Sequence, residues 1–156
     1  MAGDEYVMSD FIIRDPDFEA RVRDSFGRQG FMRHMGASIE ELAPGRCVLS
    51  LPYRDEVGQQ HGYFHGGAVG AVADNAGAYA AFTLIEAGQS MLTVEYKLNL
   101  LRPAAGEQLR AVAEVIRAGR SLTVCQVDVF AVNGARETHC ATALVTMMLL
   151  VGRGDS

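Results

Sequence analysis

From Met91 onward apolar residues recur at every second position. One run is Leu92, Val94, Tyr96, Leu98 and Leu100; a second is Leu109, Ala111, Ala113 and Val115. Thr123, Cys125, Val127 and Val129 make a third, and Ala141, Ala143, Val145 and Met147 a fourth. A period of two is that of a strand with one face on a core, so the pattern predicts four long strands. Their connections, residues 102–106, Ala118-Gly119-Arg120 and Asn133-Gly134, are short. Such lengths suit antiparallel neighbours and predict a largely antiparallel meander. Upstream, residues 36–42 and 46–53 read as two further strands across Ala43-Pro44-Gly45, with Cys47, Leu49 and Leu51 on one face of the second.

Residues 66–86 obey another rule, being glycine, alanine and small apolar residues on nearly every face. That composition predicts a long helix inside the protein, with Gly88 as its stop. A shorter helix is expected after Asp15-Pro16-Asp17, where Phe18, Val22 and Phe26 recur every four residues until Gly27 and Gly30 end it. One long apolar helix against one antiparallel sheet is an α+β layer architecture, and a sheet covering a helix on several sides must curl around it. A chain of 156 residues makes one such domain, with residues 1–14 a loosely ordered N-terminal segment.

Asp74 is the one formally charged side chain between Glu56 and Glu86. Carboxylates are seldom buried without a partner or a task, and perturbed buried acids are enriched at functional sites. Two readings stand level: a catalytic carboxylate, or a structural one satisfied by Asn75 or by backbone. Gly66 and Gly67 open the helix, where the first amides lack intrahelical partners and face the positive end of the dipole. They can serve a developing oxyanion, or simply let the chain turn tightly. Asp74 lies eight residues past Gly66, roughly 12 Å along the axis, whereas a base and oxyanion donors must converge within about 3 Å of one reacting group. Two antiparallel copies about a two-fold axis near Gly70 would bring them together.

A formal charge of −5 and a pI near 5.3 argue against nucleic acid as a partner. The N-terminal residues have no signal-peptide pattern and the three cysteines are an odd, scattered set, which fits a reduced cytoplasmic setting. A membrane span over 66–85 is disfavoured by its glycines, Asp74 and Asn75. His61 and His65 are four apart, but Gly62 lies between them and no third ligand is near, so a loop reading outweighs a metal pair. Cys125 and Cys140 fall within strand alternation and read as sheet residues.

His65-Gly66-Gly67, Asp74 nine residues after the histidine, Thr93-Val94-Glu95-Tyr96 and Leu101-Arg102-Pro103 together resemble the hotdog-fold acyl-CoA thioesterases of the PaaI-like (phenylacetate-degradation) group, over residues 36–150. The resemblance implies a long central helix wrapped by a curved antiparallel sheet of five to six strands. It implies homodimers, sometimes paired into tetramers, and hydrolysis of acyl-CoA without metal or separate cofactor, coenzyme A being part of the substrate. Asp74 would be general base or nucleophile, Gly66 or Gly67 would polarise the thioester carbonyl, and Thr93 would position the attacking water. Gln59, six residues before His65, stands where some members have a carbonyl-binding asparagine, and the adjacent Gln60 leaves the register open. His65 would orient the helix entrance. Tyr79 and Phe82 would border the acyl chamber. Basic or turn residues at strand ends, Arg102 and Gly119-Arg120-Ser121, would meet the phosphates or pantetheine, with Asn99 and Lys97 alternating onto the face of Thr93. Two rivals remain on the same fold: an acyl-thioester hydratase or dehydratase, and a non-catalytic acyl-CoA-binding protein. The acyl group itself is not legible.

Overall fold

A computed structural model describes residues 11–154. The chain forms helices α1 (Phe18–Arg28) and α2 (Gly30–Met35), strands β1 (Ser38–Ala43) and β2 (Arg46–Pro52), helix α3 (Gly66–Phe82), and strands β3 (Ser90–Leu100), β4 (Gln108–Ala118), β5 (Leu122–Asn133) and β6 (Arg136–Leu150). All six strands join one antiparallel sheet in the order β1-β2-β4-β5-β6-β3. Strands β4 to β6 are the expected meander. Strand β3 is not beside β4, as its short connection suggested, but pairs with β6 at the far edge. Three interstrand steps are about 14 Å, which residues 101–107 reach easily because seven residues extend to roughly 23 Å.

The core is built from rows of side chains that alternate small and large across the meander. Ala111, Val129 and Ala141 stand in one row, and Ala113, Val127 and Ala143 in the next, all buried. The alanines leave room for α3, which packs against every strand from β2 to β6, so the sheet curls around it. Closest approach falls at Gly77, where a Cβ would come within 2.9 Å of Val145 Cβ. Gly77→Ala should therefore destabilise the fold by about 1–3 kcal/mol through overpacking, even though alanine is the better helix former by about 1 kcal/mol. Urea denaturation reads the sign directly; a stabilised variant would refute this account of the contact.

Helix α3 ends at Phe82, before the expected stop at Gly88. Thr83 is fully buried, donates its hydroxyl to Ala80 O and accepts from the Gly45 amide, both at 2.7 Å. This hydroxyl ties the helix end to the β1–β2 turn, where Gly45 has a φ of 75° and faces the ring of Phe11. Of the segment expected to be loosely ordered, residues 1–10 lie outside the described residues, and Phe11 packs on the core. Helix α1 begins at Phe18, and Asp15 does not cap it directly: the carboxylate accepts from Asp17 N at 3.0 Å and pairs with Arg21 at 2.7 Å. Arg21 in turn donates to Ile85 O and lies 4.5 Å from the centre of the Phe82 ring, anchoring α1 on the end of α3. The chain restarts at Gly30 as α2, which the sequence pattern did not anticipate. Among the described residues no helix is long and apolar enough to cross a membrane.

Candidate active site

Asp74 lies half-buried midway along α3, on a face the sheet leaves partly open. Thr93 of β3 donates its hydroxyl to Asp74 Oδ1 at 2.8 Å, and the sulfur of Met147 sits 3.3 Å from the same hydroxyl. Burial raises the carboxyl above its ordinary pKa, and the Thr93 hydrogen bond, which favours the ionised form, offsets part of that rise. A carboxylate of this kind is a proton acceptor within hydrogen-bond reach of a group able to hold a water molecule. Asn75 is not its partner.

At the start of α3, His65 is the N-cap, with an extended backbone (φ −64°, ψ 139°) and Nδ1 accepting from the Gly67 amide at 2.9 Å. The accepting nitrogen fixes the tautomer, so Nε2 carries the ring hydrogen. Gly67, one of the two candidate donors, is thereby engaged. Gly66 is not: its amide has no hydrogen-bond partner among the described residues. Gly66 opens onto a cleft of about 470 Å³ whose walls include Val69, Leu100, Arg102 and Gln59. Gln59 Oε1 accepts from the His61 amide, which leaves its NH₂ group as a donor. Gln60 is exposed and does not line the cleft, so Gln59 is the residue in register with the helix start.

A bulge in β3 re-sorts the strand. The pairing slips between Thr93 and Glu95, and one extra residue exchanges the two faces beyond it. Tyr96 and Leu98 consequently lie over Gly70, and Leu100 over Gly66, on the same side as Thr93. Lys97 and Asn99, expected on the Thr93 face by simple alternation, are on the opposite face and stand apart from Asp74. Exposed Arg102 donates to His139 O at 3.0 Å beside the Gly66 cleft. Gly119 and Arg120 line a different cavity of about 260 Å³, together with Arg14. Ser121 accepts from Leu149 N at 2.9 Å at its strand turn.

Tyr79 and Phe82 do border a chamber. It has a volume of about 300 Å³ and lies between α1, the C-terminal half of α3 and the start of β3. Ala78, one turn beyond Asp74, and Met147, in contact with Thr93, are also in its wall, so it opens beside the carboxylate. Ser25 and Arg28 of α1, Gln29 just past its end, and Ser90 and Leu92 of β3 also line it; no sequence signal pointed to Ser25 or Gln29, because helix α1 lies some fifty residues away in the chain. Met91 separates this chamber from the Arg120 cavity.

Ala71, Asp74, Asn75 and Ala78 are half-buried, while the rest of α3 beyond Gly67 is buried. Their spacing puts them on one face. Asn75 Oδ1 on that face is enclosed and has no hydrogen-bond partner among the described residues, a state that costs about 1–3 kcal/mol. The neighbouring edge is similar: Leu92, Val94, Tyr96 and Leu100 of β3 are 45–58% exposed. Among the described residues no three His, Cys, Asp or Glu side chains gather as a metal site. Burial pushes the Cys47 and Cys125 thiols up to about 12, which removes them as nucleophiles.

The sequence profile of the thioesterase superfamily matches residues 61–138, half of the chain, including His65, Gly66 and Asp74. A thioesterase family protein from Silicibacter pomeroyi superposes with a TM-score of 0.85 at 45% identity, covering 86% of this chain and 99% of that one. The PaaI protein of the Escherichia coli phenylacetic acid degradation operon superposes with a TM-score of 0.77 over 88% of this chain and 96% of that one, and at 20% identity the likeness is one of fold. The 1,4-dihydroxy-2-naphthoyl-CoA hydrolase of Listeria monocytogenes is 28% identical over 64% of this chain and 81% of its own length. A helix wrapped by this six-stranded sheet is the hotdog fold, and the chain belongs to the thioesterase superfamily as a thioester hydrolase.

Proposed function

We propose that the protein hydrolyses acyl-CoA thioesters to a carboxylic acid and free coenzyme A, at a site shared by two copies of the chain. The observation that carries this reading is the separation, on one helix, of the Asp74–Thr93 pair from the unengaged Gly66 amide. The helix face bearing Ala71, Asp74, Asn75 and Ala78 is only half-buried, whereas Gly70 beside it is covered by Tyr96 and Leu98 of the chain's own β3. Antiparallel pairing about an axis near Gly70 places Asp74 of one copy against Gly66 of the other, twice per dimer. It also covers the apolar β3 edge, which a lone chain would expose. Two such dimers pairing again is compatible with this arrangement.

In one version of the step, Asp74 takes a proton from a water held by Thr93 as the water oxygen adds to the thioester carbon. The charge forming on the carbonyl oxygen falls on the Gly66 N–H and the Gln59 NH₂ of the other copy. Collapse of the tetrahedral species breaks the carbon–sulfur bond, and the proton returns to the departing thiolate. In the other version the carboxylate itself attacks and water hydrolyses the resulting anhydride. Neither needs a metal. The CoA moiety is the thiol carrier of choice because the homologous Listeria enzyme is named for a CoA thioester, and because Arg102 and Arg120 stand exposed near the two openings. Three free cysteines suit the cytoplasm, where CoA esters are made.

The test is a panel of acyl-CoA and enoyl-CoA esters assayed for free thiol and for enoyl absorbance. Thiol release with no hydration is expected; hydration without thiol would install the hydratase reading, and tight binding without turnover the binding-protein reading.

A further inference from the structure

A thioester carbon carries three substituents, and on the shared-site reading above each takes its own direction from Asp74. The acyl group has the chamber that opens beside Ala78, one turn beyond Asp74 on α3. The carbonyl oxygen has two lone pairs, and the Gly66 N–H and Gln59 NH₂ of the second copy fill both. The sulfur is then directed the other way along α3, toward Gly70, one turn before Asp74. A polar atom lies there. The Tyr96 hydroxyl is 3.3 Å from the place that a Cβ on Gly70 would occupy, with the apolar Leu98 beside it. Simple alternation would turn Tyr96 away from Thr93; the bulge between Thr93 and Glu95 puts both on the helix side of β3. Tyr96 is 45% exposed, and its phenol has no hydrogen-bond partner among the described residues. A side chain at residue 70 would crowd that oxygen, whereas glycine leaves it open to approach.

We propose that Tyr96 is a catalytic residue that serves the leaving group, its phenol donating a hydrogen bond to the thioester sulfur as the carbon–sulfur bond breaks. The electron pair of that bond ends on sulfur, and a donor already in place stabilises the charge where it develops. The phenol keeps its hydrogen. The proton that neutralises the departed thiolate comes from the attacking water in either version of the step, so Tyr96 is unchanged at the end of the cycle. The contact is equally useful when the carboxylate attacks, because sulfur leaves from the first tetrahedral species in both. Thr93 and Tyr96, neighbours on one face of β3, thereby attend to opposite ends of the displacement: the hydroxyl beside Asp74 holds the incoming water, and the phenol over Gly70 receives the outgoing sulfur.

This inference rests on the thioesterase reading above, and its test separates the two. For the acyl group that the panel of esters turns over fastest, kcat is measured with the wild type and Tyr96→Phe on its esters of coenzyme A, N-acetylcysteamine and thiophenol. The first two are alkyl thiols of similar basicity that differ in the nucleotide arm; thiophenol is far more acidic and departs without help. Tyr96→Phe should lower kcat by about tenfold to a hundredfold on both alkyl thioesters, and by less than about threefold on the thiophenyl ester. Equal loss on all three would make Tyr96 a structural part of the β3 edge, and light scattering would show whether that loss follows a change of assembly. Loss on the coenzyme A ester alone would make it a contact for the nucleotide arm. No loss on any would leave the sulfur without assistance from this residue. A wild type inert toward the thiophenyl ester would mean that the sulfur is enclosed and not open to the Gly70 side. Each of these four results overturns the proposal while thiol release by the wild type leaves the thioesterase reading standing. That reading fails earlier and separately, if no ester of the panel yields thiol, and this proposal then falls with it.

Discussion

Asp74→Asn should leave an assembled protein whose thioester hydrolysis has fallen by about a thousandfold, the scale on which a positioned base accelerates proton transfer. Asparagine keeps the oxygen that accepts from Thr93 but can neither take a proton from water nor attack the carbonyl. The same substitution should raise stability at neutral pH. Burial lifts the Asp74 carboxyl above its unfolded value, so the folded state binds the proton more tightly. The stabilisation from that proton is present below the unfolded pKa of about 4 and is lost as pH rises through the folded one. Near pH 7 the ionised carboxylate is therefore a burden on the fold that asparagine removes. The gain in Tm should shrink toward zero as the pH approaches about 3.5. Initial rates and melts at both pH values check the two halves. A variant active within tenfold of wild type would remove Asp74 from the chemistry, and a lower Tm at pH 7 would mean that the carboxylate is stabilised by contacts other than the Thr93 bond.

That carboxylate was legible because its surroundings are not polar. One charge in a run of alanine and glycine is visible without any coordinates, and so are the strand period and the helix face that follows it. What alternation could not reveal was a change of phase. The slip between Thr93 and Glu95 sends Lys97 and Asn99 to the outer face, and nothing in the residue types there marks a bulge. Strand order was hidden for a related reason, since the curled sheet brings β3 to the edge beyond β6 while leaving its connection to β4 short. The helix stop depended on a single hydroxyl, Thr83, whose partner Gly45 is distant in sequence. Asn75 carried the same signal as Asp74, a polar side chain in an apolar helix, yet its oxygen has no hydrogen-bond partner among the described residues. The contacts of Ser25 and Gln29 with Tyr79 were beyond reach because they form where two elements far apart in sequence pack together, and local periodicity reports only on one element at a time.

The proposed sharing of one site between two chains has a consequence that single substitutions cannot imitate. Gly66→Pro removes the one candidate N–H at the first helical position, where proline suits the helix, and His65 already has the extended backbone that must precede it. A Cβ at this position would meet the flexible end of the Leu100 side chain at 3.2 Å. The variant should fold and lose about a hundredfold to a thousandfold in kcat, the usual result of deleting an oxyanion donor. Mixed with Asp74→Asn and allowed to exchange subunits, it should regain activity. In a mixed dimer one site pairs asparagine with proline and is dead, while the other pairs an intact Asp74 with an intact Gly66. Random exchange at equal amounts gives half mixed dimers with one working site each, hence about a quarter of the wild-type rate per chain. If acid and donor served the same reaction from within one chain, each chain in the mixture would still carry its own defect, and the rate would stay at the level of the two variants measured alone.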